Sequence, residues 1–334
     1  MNASPSSLAL SLLLPLAALF STTTCPAQQP AMPHWSLGAP VLDLSQPSQG
    51  APIKLLDPCA VRHDGRWHVF AGSMYFALDE FKPGGPSPQP VKLPVEGAFV
   101  PQVFFYSPKK QWHFIGQIAD TSGRYPKSVP VLSTNENLST PQGWSKPVIL
   151  DVPPPETGDK PVKSWMDFYV ICDDTKAHLF ATGGGRMWRS ETALEKYPNG
   201  WSKPVVALEG DFLYASHTYR LDMPGKPPRY WMNLTGAKKE ADGRRLQYQQ
   251  SYVAEKLEGP WHAELATAES PLAGWNNIRM QDGDWTGDIV HGEPLRTSID
   301  EHMLLDPAFA GFIFHGGHGS SKTPCIGVLE RIKP

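Results

Sequence analysis

A two-strand unit that recurs along the chain limits the possible folds more than any other feature of the sequence. In each unit a polar or charged residue begins an apolar strand, a turn follows, and a second strand rich in aromatic residues returns. In residues 57–72 the turn is Asp64-Gly65, a dipeptide that favours a tight β-hairpin. Further copies occupy residues 101–117, 167–183, 215–236 and 291–316. Self-similarity of this kind indicates a protein built from repeated supersecondary units.

The stretches between these units carry a second recurring phrase, Gly-Trp-Ser or Gly-Pro-Trp. The phrases are Gly143-Trp144-Ser145, Gly200-Trp201-Ser202 and Gly259-Pro260-Trp261. Two strands, a third strand and a turn with Trp suit a propeller blade of about four strands, repeated about five times. No long segment shows helical periodicity. The sequence therefore predicts an all-β fold, a five-bladed β-propeller, with an irregular β-sandwich as the alternative.

The first residues of the chain predict a targeting segment. Residues 8–20 are nearly continuous Leu and Ala, which is too short to span a bilayer but suits the apolar region of a signal peptide. Small residues after Cys25 offer a cleavage site. We therefore expect a signal peptide at 1–27, a single catalytic domain at 28–334 and a secreted or periplasmic protein. The alternative is a lipoprotein signal that anchors the protein to a membrane through Cys25.

Composition and charge restrict the partners of this chain. There are 30 Lys and Arg against 33 Asp and Glu, a formal net charge of -3, and no basic run. A nucleic acid or an anionic membrane therefore has no electrostatic support as a partner. The 11 Trp, 10 Tyr and 14 Phe suit a β core, and they also suit a cleft in which the apolar face of a sugar stacks on an aromatic ring. We expect a monomer that acts on a polysaccharide or oligosaccharide.

Three cysteines follow the targeting segment, namely Cys59, Cys172 and Cys325. An odd number permits at most one disulfide and leaves a thiol over. Their spacing matches no zinc motif. Cys172 lies inside an apolar strand, so we expect it to be a core residue.

The repeat places three carboxylates in related positions. Asp57 opens the first unit, Asp167 opens the third, and Glu293 lies near the start of the fifth. The first strand of each propeller blade lies nearest the axis, so residues at the same end of these strands converge on one mouth. Glycoside hydrolysis needs such a group, because one carboxylic acid protonates the leaving oxygen while another carboxylate activates water or attacks the sugar. A third carboxylate raises the pKa of the acid by like-charge repulsion.

Each of these residues also has a plainer interpretation. An Asp before Pro commonly forms a turn, and a Glu after Gly commonly lies in a solvated loop. His291, two residues before Glu293, either faces the axial channel and binds water or a metal, or is a hydrogen-bonded structural residue. The shared place in a repeat favours the functional interpretation of the three acids.

These segments resemble glycoside hydrolase family 62, the α-L-arabinofuranosidases that remove arabinose side chains from arabinoxylan. The similar segments are residues 56–58, 65–71, 164–174 and 285–293, with shorter matches at 197–200, 243–245 and 276–277. The resemblance extends from residue 34 to residue 318, which is nearly the whole chain after the targeting segment. Family 43 shares the architecture and is the nearest competitor.

The resemblance implies a five-bladed propeller that inverts the anomeric centre. Asp57 would be the general base, Glu293 would protonate the leaving oxygen, and Asp167 would tune the pKa of Glu293 and hold the sugar. The pocket residues implied are Trp165, Tyr214, His217, Asn277 and Trp285. A structural calcium ion near the axis, with His291 as its ligand, is also implied, and no organic cofactor is expected.

The chain departs from the family pattern beside the expected sugar pocket. Leu56 stands where members usually have Lys, Tyr214 and His217 stand where they usually have Glu and Asn, and residues 312–314 lack an expected Tyr. We therefore expect a shifted substrate preference. Two alternatives remain open: a family-43-like β-xylosidase, and a propeller that binds glycans without cutting them.

Overall fold

The computed structural model describes Met1 and residues 30–45, 52–156, 162–241, 243–296, 298–317 and 323–333. Of the predicted signal peptide at 1–27, all but Met1 lies outside the described residues. Apart from two short 3-10 helices, Ser107–Lys109 and Pro141–Gly143, the regular structure in the described residues is β. No helix in these ranges is long and apolar enough to cross a membrane. The prediction of an all-β fold is confirmed.

The strands form successive sheets along the chain, after a first strand β1 (Trp35–Leu37) that belongs to the last sheet. The first blade contains β2 (Pro58–His63), β3 (Arg66–Ala71), β4 (Met74–Leu78) and β5 (Val91–Lys92). The second contains β6 (Phe99–Tyr106), β7 (Gln111–Ala119), β8 (Ser128–Asn135) and β9 (Val148–Ile149). The third contains β10 (Met166–Cys172), β11 (Lys176–Gly183), β12 (Arg186–Ala193) and β13 (Val205–Glu209). The fourth contains β14 (Tyr214–Leu221), β15 (Arg229–Lys239), β16 (Arg245–Ala254) and β17 (His262–Ala263).

The fifth blade joins the two ends of the described chain. Its remaining strands are β18 (Ile278–Met280), β19 (Val290–Pro294), β20 (Gly311–Gly317) and β21 (Pro324–Arg331). The sheet runs in the order β19, β20, β21, β1, β18, with β1 antiparallel to β21 and parallel to β18. A strand from near the beginning of the chain thus completes the last blade and closes the ring. The predicted five-bladed β-propeller is confirmed, and the sandwich alternative is wrong.

The two inner strands of each blade are the two-strand units of the sequence. In the first blade, Asp64 and Gly65 have φ angles of 48° and 76°, the left-handed pair that a tight hairpin turn requires. The tryptophans of the recurring phrases are buried between the third and fourth strands of three blades, at Trp144, Trp201 and Trp261. The phrase therefore marks an equivalent packing position in successive blades.

The three cysteines of the described chain are buried free thiols. Cys172 lies in β10 with no exposed surface, as a core residue. The single disulfide that the sequence allowed among Cys59, Cys172 and Cys325 is not formed.

A one-residue β-bulge recurs near the start of the innermost strand in the second to fifth blades. Across it, the inner strand advances three residues while its neighbour advances two. In the second blade the first residue of the bulge is Val100, with φ of 55°. In the third blade it is Asp167, with φ of 60°, and in the fifth blade it is His291, with φ of 44°. Asp57, immediately before β2, has φ of 53°. Bulges re-aim side chains, and a left-handed conformation is costly for residues other than glycine. The same strained geometry thus recurs in four blades around the axis.

Candidate active site

Two carboxylates and an imidazole meet at one end of the propeller axis, which we call the mouth and define by Asp57, Asp167 and His291. Nδ1 of His291 lies 3.6 Å from Oδ1 of Asp57, and Nε2 lies 4.0 Å from Oδ2 of Asp167. The side chains of Asp57 and Asp167 are only 13% and 2% exposed. The two acids therefore face different nitrogens of one imidazole ring, with little access to bulk water.

Asp57 is held by a second histidine, which sequence reasoning missed. Its backbone N–H donates to Nδ1 of His315 at 3.0 Å, and the same nitrogen lies 3.5 Å from Oδ1 of Asp57. Burial lowers the pKa of His315 well below its ordinary value, and His291 adds to this effect, so the ring is a neutral acceptor. Burial also raises the pKa of Asp57 to about 7. Asp57 can therefore exchange a proton near neutral pH, as a general base must.

Asp167 is fixed by groups on the neighbouring strands. Its N–H donates to Oε1 of Gln117 at 2.5 Å, and the hydroxyl of Thr182 donates to its Oδ2 at 3.2 Å. The phenol oxygen of Tyr169 lies 3.5 Å from Nδ1 of His291. Burial lowers the pKa of His291, although Asp167 pulls it in the opposite direction. The mouth therefore contains a neutral imidazole between two oriented carboxyl groups.

Glu293 lies two residues further along β19 and is fully buried. One carboxylate oxygen accepts the N–H of Ala60, while the other accepts the hydroxyl of Tyr219 at 3.2 Å and lies 2.8 Å from Nδ1 of His217. This imidazole–carboxylate contact is buried on both sides. Burial by itself would raise the pKa of Glu293, but His217, Arg296 and the Ala60 N–H hold it below its ordinary value. This position does not favour the predicted role of Glu293 as proton donor.

Tyr214 and His217, the two residues of β14 that depart from the family pattern, lie at different depths below the surface. Tyr214 is half-buried, and its ring centroid lies 5.2 Å from that of His291. It also lines a cavity of about 250 Å³ together with Thr182. His217 is buried beside Glu293, with its ring 4.3 Å from that of Tyr169. Of these two residues, Tyr214 is therefore the one that reaches the mouth, where its ring lies beside that of His291.

Three predicted pocket residues are not brought to the mouth. Trp165 has no exposed surface and packs edge-on against a core phenylalanine. The side-chain amide of Asn277 is buried and is bonded to backbone groups only. Trp285 donates to the carbonyl of Gly38, stacks on Phe314 and lines a cleft between the fourth and fifth blades. These three side chains are of types that suit a sugar pocket, but in the structure they pack against, or hydrogen-bond to, other parts of the protein.

Within the described ranges, the oxygens that face His291 include the carboxylates of Asp57 and Asp167, whereas Ca²⁺ takes six to eight oxygen ligands. Among the described residues, the one group of three potential ligands whose atoms converge is His178, Glu191 and Glu258, away from the mouth. Lys176 already contacts Glu191 at 2.6 Å and Glu258 at 3.7 Å, which makes that group an ion-pair network. Calcium at His291 stays a prediction.

Comparison with known proteins places this geometry in a class. The chain is 27% identical to the catalytic domain of a GH62 α-L-arabinofuranosidase from Coprinopsis cinerea, covering 90% of this chain and 97% of that one with a TM-score of 0.76. It is 26% identical to the α-L-arabinofuranosidase PaAbf62A from Podospora anserina, solved with cellotriose, with coverages of 92% and 99% and a TM-score of 0.76. A thermostable family-43 glycoside hydrolase shares the fold, at 13% identity and a TM-score of 0.55. A five-bladed propeller with an acidic mouth thus defines a glycoside hydrolase architecture.

Sequence comparison identifies the family within that class. The model of Glycosyl hydrolase family 62 matches residues 71–325, and the chain therefore belongs to this family. It is also 28% identical over 319 residues to alpha-L-arabinofuranosidase C from Cellvibrio japonicus (strain Ueda107). The match covers 90% of this chain but only 46% of that protein, so this chain spans about half the length of that relative.

Proposed function

We propose that this protein is a secreted, inverting α-L-arabinofuranosidase that releases terminal arabinofuranosyl residues from arabinoxylan or a related plant polysaccharide. The observation that carries the proposal is the pair Asp57 and Asp167 on two sides of His291, in a chain that belongs to family 62. The apolar segment at 8–20 supports secretion.

The geometry of the mouth supports separate roles for its two acids. Asp57, with its pKa raised to about 7, is the proposed base that takes a proton from water. Asp167, oriented by Gln117 and Thr182, is proposed to hold the sugar by accepting its hydroxyl hydrogens. The proposed source of the proton that the leaving oxygen gains is the phenol of Tyr214, whose ring lies beside His291, so the proton that water gives to Asp57 is matched by one given to the leaving sugar.

A second candidate function is a propeller that binds glycans and does not cut them. One observation favours it: the third acid, Glu293, is buried and paired with His217, so the mouth has two carboxyl groups and the phenol of Tyr214. Glycoside hydrolysis of an unactivated sugar needs a proton for the leaving oxygen, and a phenol is a much weaker acid than a carboxylic acid.

Hydrolysis of arabinoxylan separates the candidates. Purified protein is expected to release free arabinose, and proton NMR at early times is expected to show the β-anomer first, because inversion converts an α-linkage into a β-product. Release of the α-anomer first would contradict inversion. Release of xylose instead would support the β-xylosidase alternative, and binding of the polysaccharide with no released sugar would support the second candidate.

Tyr214→Glu tests which group limits the reaction at the mouth. The new carboxyl would lie beside His291 near two other acids, where like-charge repulsion raises its pKa and keeps it protonated near neutral pH. We expect arabinose release from arabinoxylan to rise about 100-fold or more, the contribution typical of a positioned general acid. Tyr214→Gln is the matched control, because it offers similar size without an acid. Equal rates for the two variants would contradict this interpretation.

A further inference from the structure

The two acids of the mouth are held through their backbone by side chains that belong to other blades. The N–H of Asp57 donates to Nδ1 of His315 at 3.0 Å, and the N–H of Asp167 donates to Oε1 of Gln117 at 2.5 Å. His315 lies on β20 in the fifth blade, next to the first blade around the closed ring, and Gln117 lies on β7 in the second blade, next to the third. Each acid is therefore held by the second strand of the blade that precedes its own.

The two acceptors occupy equivalent positions in their own blades. His315 pairs with Val290, which comes directly before the bulge of the fifth blade. Gln117 pairs with Phe99, which comes directly before the bulge of the second blade. One position of the repeated unit therefore supplies the acceptor for both acids.

The remaining left-handed residues agree with this arrangement. The N–H of His291 donates to the hydroxyl of Thr235 at 3.2 Å, again from the second strand of the preceding blade, β15. By the register of β2 with β3, the equivalent position in the first blade is Gly72, which has no side chain to offer to Val100 of the second blade. The three left-handed residues of the mouth thus receive an acceptor from the preceding blade, whereas the blade before the apolar Val100 has a glycine at that position.

A backbone contact of this kind controls the direction of a side chain. The left-handed conformation is costly and persists only where the surroundings fix it, and a bulge leaves one residue outside the ladder of strand hydrogen bonds. A buried N–H in that place needs another acceptor, and the acceptor fixes the peptide plane and the Cα–Cβ bond beyond it. His315 also contacts the carboxyl group itself, since its Nδ1 lies 3.5 Å from Oδ1 of Asp57, and its ring stacks on His291 with the centroids 6.0 Å apart.

We propose that His315 and Gln117 are positioning residues, which act through the backbone of Asp57 and Asp167 to orient the two carboxyl groups toward the sugar. The inference rests on the proposed function, because the roles of base and sugar-holding acid are taken from it. It adds that each role is set by the preceding blade. The two residues should therefore affect different steps, His315 the attack of water and Gln117 the binding of the sugar.

His315→Leu tests the first of these effects, because leucine offers no acceptor to the N–H of Asp57. We expect kcat for arabinose release to fall by about 10- to 100-fold while KM stays within about twofold, as for a misplaced group that acts in the transition state. His315→Asn should recover most of the loss, because the amide carbonyl can accept in place of Nδ1. In the Asp57→Asn background, His315→Leu should cause no further loss, because a positioning residue acts through the group that it positions.

His68→Leu is the matched control for His315→Leu. His68 is also a buried strand histidine, and its Nδ1 lies 2.7 Å from the hydroxyl of Tyr75. It pairs with Val61 on β2, away from the mouth end of that strand. The control should lower the melting temperature and leave kcat unchanged.

Gln117→Met tests the second effect by binding, which does not need hydrolysis. Calorimetry measures the Kd of an arabinose-bearing xylo-oligosaccharide in the Asp57→Asn background, which prevents turnover during the measurement. Methionine has a similar length but its thioether is a weak acceptor, so we expect Kd to rise about tenfold. With Asp57 intact, KM should rise by the same factor. Gln250→Met is the matched control, because the buried amide of Gln250 donates to the carbonyl of Asp211, and it should leave Kd unchanged.

The outcomes separate this proposal from the proposed function. An unchanged kcat in folded His315→Leu, equal kcat in His315→Leu and His315→Asn, or an unchanged Kd in folded Gln117→Met would overturn the positioning roles. If His315→Leu does not fold, His315→Asn should keep at least about a tenth of the wild-type kcat, and its inactivity with a native circular dichroism spectrum would overturn the role of His315. A wild type that releases no arabinose would overturn the hydrolytic function, while weaker binding by Gln117→Met would still uphold the positioning of Asp167.

Discussion

Asp57→Asn is expected to lower arabinose release by about 100- to 10,000-fold, the range typical for loss of a general base. The amide has almost the same shape as the carboxylate, but it cannot accept a proton from water. The backbone N–H that donates to His315 is unchanged, so the fold should persist. The measurement is kcat and KM on an aryl arabinofuranoside and on arabinoxylan, with circular dichroism to check the fold.

The pH dependence gives this prediction a second readout. Burial raises the pKa of Asp57 from 3.8 to about 7, so the carboxyl becomes an effective base only as the pH rises through about 7. We expect kcat/KM of the wild type to increase over that interval. The free energy of unfolding changes in the opposite direction over this interval. Because the folded state holds the proton of Asp57 more tightly than the unfolded state does, the stability that this proton contributes is lost as the pH rises from 3.8 to about 7. Residual activity of Asp57→Asn that kept the same pH profile would contradict the assignment.

Glu293→Gln is expected to lower the free energy of unfolding by about 1–3 kcal/mol, because the buried carboxylate accepts hydrogen bonds from Ala60 and Tyr219 and contacts His217, and the amide NH₂ cannot accept. Glu293 also connects three blades, through Ala60 on β2 and Tyr219 on β14. We therefore expect the melting temperature to fall, and hydrolysis of aryl and polysaccharide substrates to fall in parallel. The matched control is Glu209→Gln, which breaks an exposed pair with Arg186 and should change stability by less than about 1 kcal/mol.

The leaving group distinguishes a positioning role for Glu293 from proton donation. A nitrophenolate is a stable anion and can leave without being protonated. The oxygen of a leaving sugar must receive a proton as it departs. If Glu293 were the donor, Glu293→Gln would lose activity on arabinoxylan, keep much of it on the nitrophenyl substrate, and retain its stability. The double variant His217→Asn/Glu293→Gln should regain part of the lost stability, because it removes the unpaired imidazole as well.

Much of the architecture was predictable because hairpin turns and strand length are local properties. Asp64-Gly65 specifies its turn wherever it occurs, and the repetition of such units implied blades. The same repetition located Asp57 and Asp167, which occupy the same left-handed position in two blades. Local pattern was therefore sufficient for the fold and for the equivalent positions of Asp57 and Asp167, whose catalytic roles stay predictions.

The depth of Glu293 was not predictable, because the equivalent position in the fifth blade belongs to His291. Side chains alternate along a strand, so a residue two places further on lies on the same side but deeper along the axis. Pairing across the bulge is what brings His315 opposite the start of β19, and no local signal encodes that register. Trp165 and Asn277 show the same limit, since burial of a strand or loop side chain depends on the neighbouring blade.

The closure of the fifth blade by β1 has a consequence for the order in which the molecule is made. The ribosome produces β1 first and β21 almost last, yet these two strands must pair to complete one sheet. Asp57 follows early in synthesis, whereas His291 and His315 follow late. The mouth is therefore complete only once β19 and β20 have been translated, long after Asp57 itself.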